Sequence, residues 1–234
     1  MNVEWATWEP IYEAIRSTFG FDRRADERAR DRLLSLSTPF EGGLSGAFEG
    51  QSVVVAGAGP SLTSDRSLER ARSADAVVAA STAVDALADH GVPVDWMVTD
   101  LDKNPGTVER LAASGTPVAV HAHGDNVALV ERVVPRCPSG SILATTQVRP
   151  RGHVVNTGGF TDGDRAAFLA DALGADSLSF VGWTFDDPSV DDEKRAKLAW
   201  AERLLYWLER RRGERFALLD GRRDAVDTDP LPVE

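Results

Sequence analysis

The chain has 234 residues, 42% of them hydrophobic, a single cysteine and a formal net charge of −11 from 37 acidic and 26 basic side chains. That length supports one sizeable core, and the acid excess argues against a nucleic-acid partner: phosphate binding needs a basic footprint, and the one basic cluster, Arg210-Arg211-Arg212, ends a helix where cations suit the dipole. No apolar run approaches the roughly 18 residues of a membrane span, Met1-Asn2-Val3-Glu4-Trp5 does not open a signal peptide, and Cys137 alone allows neither an internal disulfide nor a multi-cysteine zinc site.

The expectation is a soluble, cytoplasmic protein whose partners are small molecules, with no nucleic acid and no membrane, and with homo-oligomerisation left open. Asp outnumbers Glu, and Lys103, Lys194 and Lys197 are the only lysines. That balance matches a halophilic archaeal cytoplasm, where a hydrated acidic surface keeps protein in solution. It also makes surface solvation the default role of any carboxylate here.

Residues 1–50 read as a helical extension, with Trp5, Trp8, Ile11, Tyr12, Ile15 and Phe19 at helical spacings and a charged second segment from Asp22 to Leu36. A β-branched run, Ser52 to Ala56, follows, and the pattern then alternates. Strands are predicted at Ala76 to Ala80, Val94 to Val98, Pro117 to His121, Ser141 to Thr145 and Ser177 to Val181. Helices are predicted at Ser67 to Ser73, Thr82 to His90, Gly106 to Ser114, Asp125 to Val134 and Asp162 to Leu173. A final helix, Asp191 to Arg212, stripes one face with Leu198, Ala201, Leu204, Leu205 and Leu208, and residues 220–234 read as a loose tail. Short strands separated by helices predict an α/β, Rossmann-like fold over 51–219, with a mainly parallel sheet covered by helices on both faces.

In such sheets ligands bind beyond the carboxyl ends of the strands, so the residues just after each strand carry the functional information. Gly57-Ala58-Gly59-Pro60-Ser61 lacks the third glycine of a dinucleotide fingerprint and the Gly-Lys-Ser/Thr of a P-loop. It is either a turn or a loop whose glycines adopt positive φ and bring N–H groups to phosphate oxygens. Asp100 and Asp102 follow the third strand, where i and i+2 on extended chain point the same way and could meet one hard cation; helix capping is the competing use. One unit later, His121-Ala122-His123-Gly124-Asp125-Asn126 offers Asp125 as a third oxygen ligand for Mg²⁺ and histidines for phosphate or loop ordering, or Asp125 as an N-cap. The run from Asn156 through Gly159, Thr161, Asp162 and Asp164 to Arg165 places glycines, two acids and an arginine at a helix N-terminus, as a polar-ligand site or a capped loop. Lys194 and Lys197 share a helix face one turn apart, as phosphate-directed charge or as solvated surface. Cys137, among Pro135, Arg136, Pro138 and Ser139, reads as a loop thiol without chemistry.

Together, Gly-Ala-Gly-Pro-Ser-Leu, Thr-Asp-Leu-Asp, His-Ala-His-Gly-Asp-Asn and Gly-Gly-Phe-Thr-Asp-Gly-Asp-Arg-Ala, in this order from Gly57 to Lys197, resemble the archaeal 6-hydroxymethyl-7,8-dihydropterin pyrophosphokinases, the MptE-like family. The Asp-x-Asp element is also similar to the Gly-Asp-x-Asp-Ser element of thiamin pyrophosphokinases, with Thr99 in place of Gly and Lys103 in place of Ser. The resemblance implies Mg²⁺-dependent transfer of diphosphate from ATP to the pterin hydroxymethyl group, releasing AMP, on a route to folate or methanopterin. It implies Asp100, Asp102 and Asp125 as metal ligands, with Lys197 beside them in catalysis. Gly57, Gly59, Pro60, Ser61, Asn126 and Lys194 would face the nucleotide. His121, His123, Asn156, Gly159, Thr161, Asp162, Asp164 and Arg165 would face the second substrate. Two other readings keep the fold: a sugar-nucleotide-dependent glycosyltransferase of the motility-associated type, and a non-catalytic nucleotide-binding module.

Overall fold

A computed structural model describes residues 3–232; Met1 and Asn2 of the opening segment, and Val233 and Glu234 of the tail, lie outside the described residues. Its centre is a six-stranded parallel sheet of β1 (Ser52–Ala56), β2 (Ala76–Ala80), β3 (Trp96–Thr99), β4 (Val118–Ala122), β5 (Ile142–Thr146) and β6 (Ser177–Val181), in the order β5-β4-β3-β2-β1-β6. The pairing is parallel throughout, with Val54 opposite Val77, Val98 opposite Ala119 and Val55 opposite Phe180.

Successive side chains on a strand point to opposite faces, and both faces are apolar here. Val53 and Val55 enter one core while Val54 and Ala56 enter the other. On the first face lie α1 (Trp5–Phe19), α7 (Asp162–Ala172) and α8 (Asp192–Arg212); on the second lie α2 (Arg23–Leu36), α3 (Asp65–Ser73), α4 (Ala83–Asp89), α5 (Pro105–Ala113) and α6 (Val127–Val133). The chain thus walks from β1 to β5 in one direction, then returns through α7 across the opposite face to place β6 on the far side of β1. Buried Ala166, Ala167 and Ala170 let α7 lie close over β1, β2 and β3, with its N-terminus at their carboxyl ends.

The predicted elements all form, with ends moved by no more than two residues; β3, for example, runs Trp96–Thr99 where Val94 to Val98 is predicted. Two segments are more tightly integrated than their sequences suggest. The α1 stripe, Trp8, Ile11, Tyr12 and Ile15, is buried in the first core, whereas Ala29 and Leu33 of α2 are buried in the second. The turn between the two helices therefore passes over the carboxyl end of the sheet. The tail is docked over 220–232: Arg222 pairs with Glu202 and Asp186, Arg223 with Glu209, and Leu231 is buried. Its polar composition hides this because the anchors are ion pairs spaced irregularly along it.

Candidate active site

Above the carboxyl ends of the strands lies a cleft of about 780 Å³, the size of a nucleotide or a large ligand. The loops after β1 to β6, the N-terminus of α7, the first turns of α8 and the α1–α2 turn all contribute to its lining. Among the described residues no helix is long and apolar enough to cross a membrane.

Asp100 and Asp102 stand near the middle of the cleft, but on a backbone unlike the one predicted. The strand ends at Thr99, and Leu101 adopts φ 73° with its side chain fully buried. Thr99 Oγ1 accepts the Leu101 N–H at 3.0 Å, and the Asp102 N–H reaches Asp100 Oδ1 at 3.3 Å. A left-handed residue, not extended chain, turns both carboxylates toward the cleft. The driving force is burial of Leu101, which outweighs the cost of positive φ at a side-chain-bearing residue.

A third acid joins them. Asp162, on the first turn of α7, pairs with Arg165 at 3.1 Å, both side chains being largely buried. Burial, followed by the negative charge of Asp100, pushes the Asp162 carboxyl up to about 7, against the opposing pull of Arg165. Burial and the neighbouring Asp100 also raise Asp102, with the Lys103 ammonium 2.9 Å away acting in the other direction. For Asp100 burial is again the largest single influence and works upward, but the His123 ring, the Arg165 guanidinium and Asp102 together hold it well below the ordinary carboxylate range. His123 Nε2 faces Asp100 at 3.6 Å. The charge of Asp100 raises the cost of ionising both Asp102 and Asp162, which leaves the site with a demand for positive charge.

The histidine segment divides into parts with different surroundings. His123 lines the cleft, whereas His121 is buried beneath it, its Nδ1 3.1 Å from Thr145 Oγ1, and burial keeps its ring well below the usual imidazole value. His121 is therefore not placed to touch a ligand in the cleft, a correction that follows from its inward position on β4. Asn126 is likewise structural: its Nδ2 donates to the Asp100 and His121 carbonyls at 2.8 and 2.7 Å, and its Oδ1 accepts the His123 N–H. It staples the β3 and β4 loops together, with both amide N–H donors used, and it is buried outside the cleft lining. Asp125 lines the cleft but is exposed, and Asp162 takes the place beside Asp100 that the sequence suggests for it. Asn126, not Asp125, occupies the N-cap of α6.

The Gly57 to Ser61 turn also differs in its physical reason. Neither Gly57 nor Gly59 has positive φ. The Gly59 N–H donates to the Gly182 carbonyl at 2.8 Å, and a Cβ on Gly59 or Gly57 would stand 2.6 or 2.8 Å from that same oxygen. The glycines let the β1 and β6 loops touch at the point where the chain reverses direction across the sheet, the usual ligand crevice of such folds. Gly57, Gly59 and Pro60 line the cleft; Ser61 lies just beyond, its carbonyl accepting from Ser64 and Ser67.

The loop before α7 is partly scaffold. Asn156 spends its amide on the Val148 carbonyl and the Gly158 N–H, and Gly159, at φ 90°, would clash with the Arg165 backbone if it carried a Cβ. Asp164 is fully buried and completes a capping box, accepting from the Phe160 and Thr161 N–H groups and the Thr161 hydroxyl. None of the three lines the cleft: Asn156 bonds within the loop, Gly159 packs on Arg165, and the α7 end takes up Asp164. Thr161, Asp162, Gly163 and Arg165 remain on the cleft. Gly163 is required there, since a Cβ would press on the Trp183 ring at 2.7 Å.

All three lysines of the chain, Lys103, Lys194 and Lys197, line this one cleft. Lys197 is bridged to Glu193 at 2.6 Å. The role of Lys103 escapes a sequence reading that looks for helical pairs, although lysine scarcity alone could have flagged it. Gln147 and Asp26 are missed too. Gln147 lies just past the β5 end, and Asp26 is buried on α2, where it accepts from Tyr12 Oη, Gln147 Nε2 and the Gly124 N–H, each at 2.8 Å. Nothing in an Asp- and Arg-rich helix distinguishes Asp26 from its solvated neighbours.

Residues 35–189 match the family model described as 6-hydroxymethylpterin diphosphokinase MptE-like. Three curated archaeal proteins named 6-hydroxymethyl-7,8-dihydropterin pyrophosphokinase are similar over most of the chain. The one from Methanothermobacter thermautotrophicus is 39% identical over 227 residues, 88% of this chain and 94% of the relative. The one from Pyrococcus furiosus is 36% identical over 88% of this chain and 95% of the relative. The one from Methanocaldococcus jannaschii is 29% identical over 86% and 94%. With a six-stranded parallel fold, an acid-centred cleft and relatives of this similarity and coverage, the chain belongs to the MptE-like 6-hydroxymethylpterin diphosphokinase family.

Proposed function

We propose that the protein transfers the terminal diphosphate of ATP to the hydroxymethyl group of 6-hydroxymethyl-7,8-dihydropterin and releases AMP. One observation carries the reading: the only three lysines of a strongly acidic chain converge on a single cleft around Asp100, Asp102 and Asp162. The names of the relatives favour this reading over the glycosyltransferase and the non-catalytic module.

In the transfer, the substrate hydroxyl oxygen bonds to the β-phosphorus, the bond from that phosphorus to the α–β bridging oxygen breaks, AMP leaves with the bridging oxygen, and the hydroxyl proton is released. Charge spreads over phosphoryl oxygens in such a step, so positioned cations supply most of the acceleration. Lys194 and Lys197 bind the nucleotide phosphates, and Lys103 and Arg165 stand where the phosphoryl group reacts. Asp162 accepts hydrogen bonds from the pterin, whose amino group and ring N–H are adjacent donors.

The donor chemistry fits Mg²⁺. Asp100 and Asp102 are hard oxygen ligands on one turn, and a cation there would offset the burial and the Asp100 charge that raise the Asp102 carboxyl. Among the described residues no cluster of three or more potential ligands is preassembled. Mg²⁺ binds through one or two carboxylates plus substrate phosphates and keeps waters. Bound there, the ion would neutralise charge on the phosphoryl oxygens. Incubation of the purified protein with ATP, Mg²⁺ and the dihydropterin should yield AMP and the pterin diphosphate in equal amounts; absence of both products would refute the assignment.

A further inference from the structure

The cleft has two unlike ends. Toward α8, Lys194 and Lys197 face the Gly57 to Pro60 turn. Toward the β4–β5 side, to which Asp26 pins α2, Phe21 from the α1–α2 turn and Phe160 line the wall. Lys103 and Arg165 also line it, paired with Asp102 and Asp162. A nucleotide triphosphate is drawn to the cationic end, whereas a flat uncharged ring loses nothing by leaving the cations and gains contact area on aromatic faces.

The aromatic wall is built and fixed. Phe21 stacks on Phe19 with centroids 5.3 Å apart and planes 13° from parallel, and Phe19 lies 5.1 Å from Phe160. The turn that presents Phe21 is closed by Gly20 at φ 71° and held by two hydrogen bonds: the Phe21 N–H to the Arg16 carbonyl and Arg16 to the Phe21 carbonyl. Asp26 then pins the hairpin over the sheet. Only 3% exposed, it takes donors from α1, the β4 loop and the β5 end. Gly124 leaves room for this approach, since a Cβ would stand 2.7 Å from that of Ala25. A carboxylate buried with three partners from three elements fixes one relative placement, and its removal would leave those donors unpaired.

We infer that the α1–α2 turn is the ring-binding wall of the cleft, with Phe21 the contact that selects the flat heterocycle of the acceptor substrate and Asp26 the positioning residue that holds the wall in place. The inference rests on the pterin reading above and assigns part of the acceptor site to the N-terminal hairpin, outside the residues 35–189 matched by the family model.

The test compares wild type with Phe21→Ala, Phe21→Leu and Phe21→Tyr, using steady-state kinetics in each substrate and calorimetric binding of oxidised 6-hydroxymethylpterin. Phe21 is half-exposed, and the Leu variant preserves apolar packing if the Ala variant unfolds. Ala and Leu should raise the KM for the dihydropterin and the Kd for the oxidised pterin about tenfold, with the KM for ATP and kcat within about twofold, while Tyr restores both. An unchanged pterin KM and Kd in the Leu variant, or a rise in the KM for ATP instead, overturns the wall. If wild type neither binds the oxidised pterin nor turns over, the pterin reading itself falls and the inference with it.

Discussion

Asp162 and Asp164 stand two residues apart on the first turn of α7 and serve different partners: Asp162 meets Arg165 at 3.1 Å on the cleft, while Asp164 turns under the helix end to Phe160 and Thr161. Substitution separates the two roles. Asp162→Asn should raise the Kd for pterin tenfold or more by calorimetry with little change in melting temperature, because an amide cannot accept from two donors with both of its side-chain groups. Asp164→Ala should leave pterin affinity unchanged but destabilise the protein by about 1–2 kcal/mol in urea titration, through loss of the cap.

The paired acids on the Leu101 turn have the strongest expected effect. Asp100→Asn or Asp102→Asn should lower turnover at least 100-fold at saturating Mg²⁺ while thermal unfolding moves by only a few degrees, since charge stabilisation is lost without opening the core. Asp125→Asn, altering an exposed acid outside this cluster, should retain turnover within a few-fold. Equal losses at Asp125 and Asp100 would restore Asp125 to the ligand set.

Lys194→Ala and Lys197→Ala should each raise the KM for ATP several-fold and leave that for the pterin near wild type, because a point cation serves phosphate charge and offers little to a neutral ring. Parallel shifts in both KM values would instead indicate a general collapse of the cleft wall.

Cys137 supplies a pH-dependent prediction away from the site. Burial, with a smaller contribution from Glu109, pushes its thiol up to about 11. At pH 8 only about one molecule in a thousand then carries the thiolate, so alkylation of the native protein should run roughly 100-fold slower than in denaturant. A folded value above the unfolded one also means that this group's contribution to stability is whole below about 8.5 and is lost as pH climbs through 11. Alkylation kinetics followed by mass spectrometry from pH 7 to 10 would check both the rate and its slope.

Sequence by itself determined the sheet and its ligand-binding edge. The β-branched runs from Val53 to Val181 are apolar on both faces, which demands helices on both sides, and parallel strands then expose their carboxyl-end loops together; Asp100, Asp102 and the glycine turns fall there by chain order alone. Tertiary structure decided which polar groups are left over for a ligand. Asn126, Asn156 and Asp164 have the residue types of a binding site, but they bond to Asp100, Val148, Gly158 and Phe160, partners two to twenty-six positions away. Asp26 and Phe21 carry no local sign of their placement, because their roles arise from contacts to Gly124, Gln147 and Phe160 more than ninety residues distant. Local pattern reports which face of an element is buried; whether a buried or half-buried polar group is already satisfied depends on loop conformation and on distant partners, neither of which periodicity encodes.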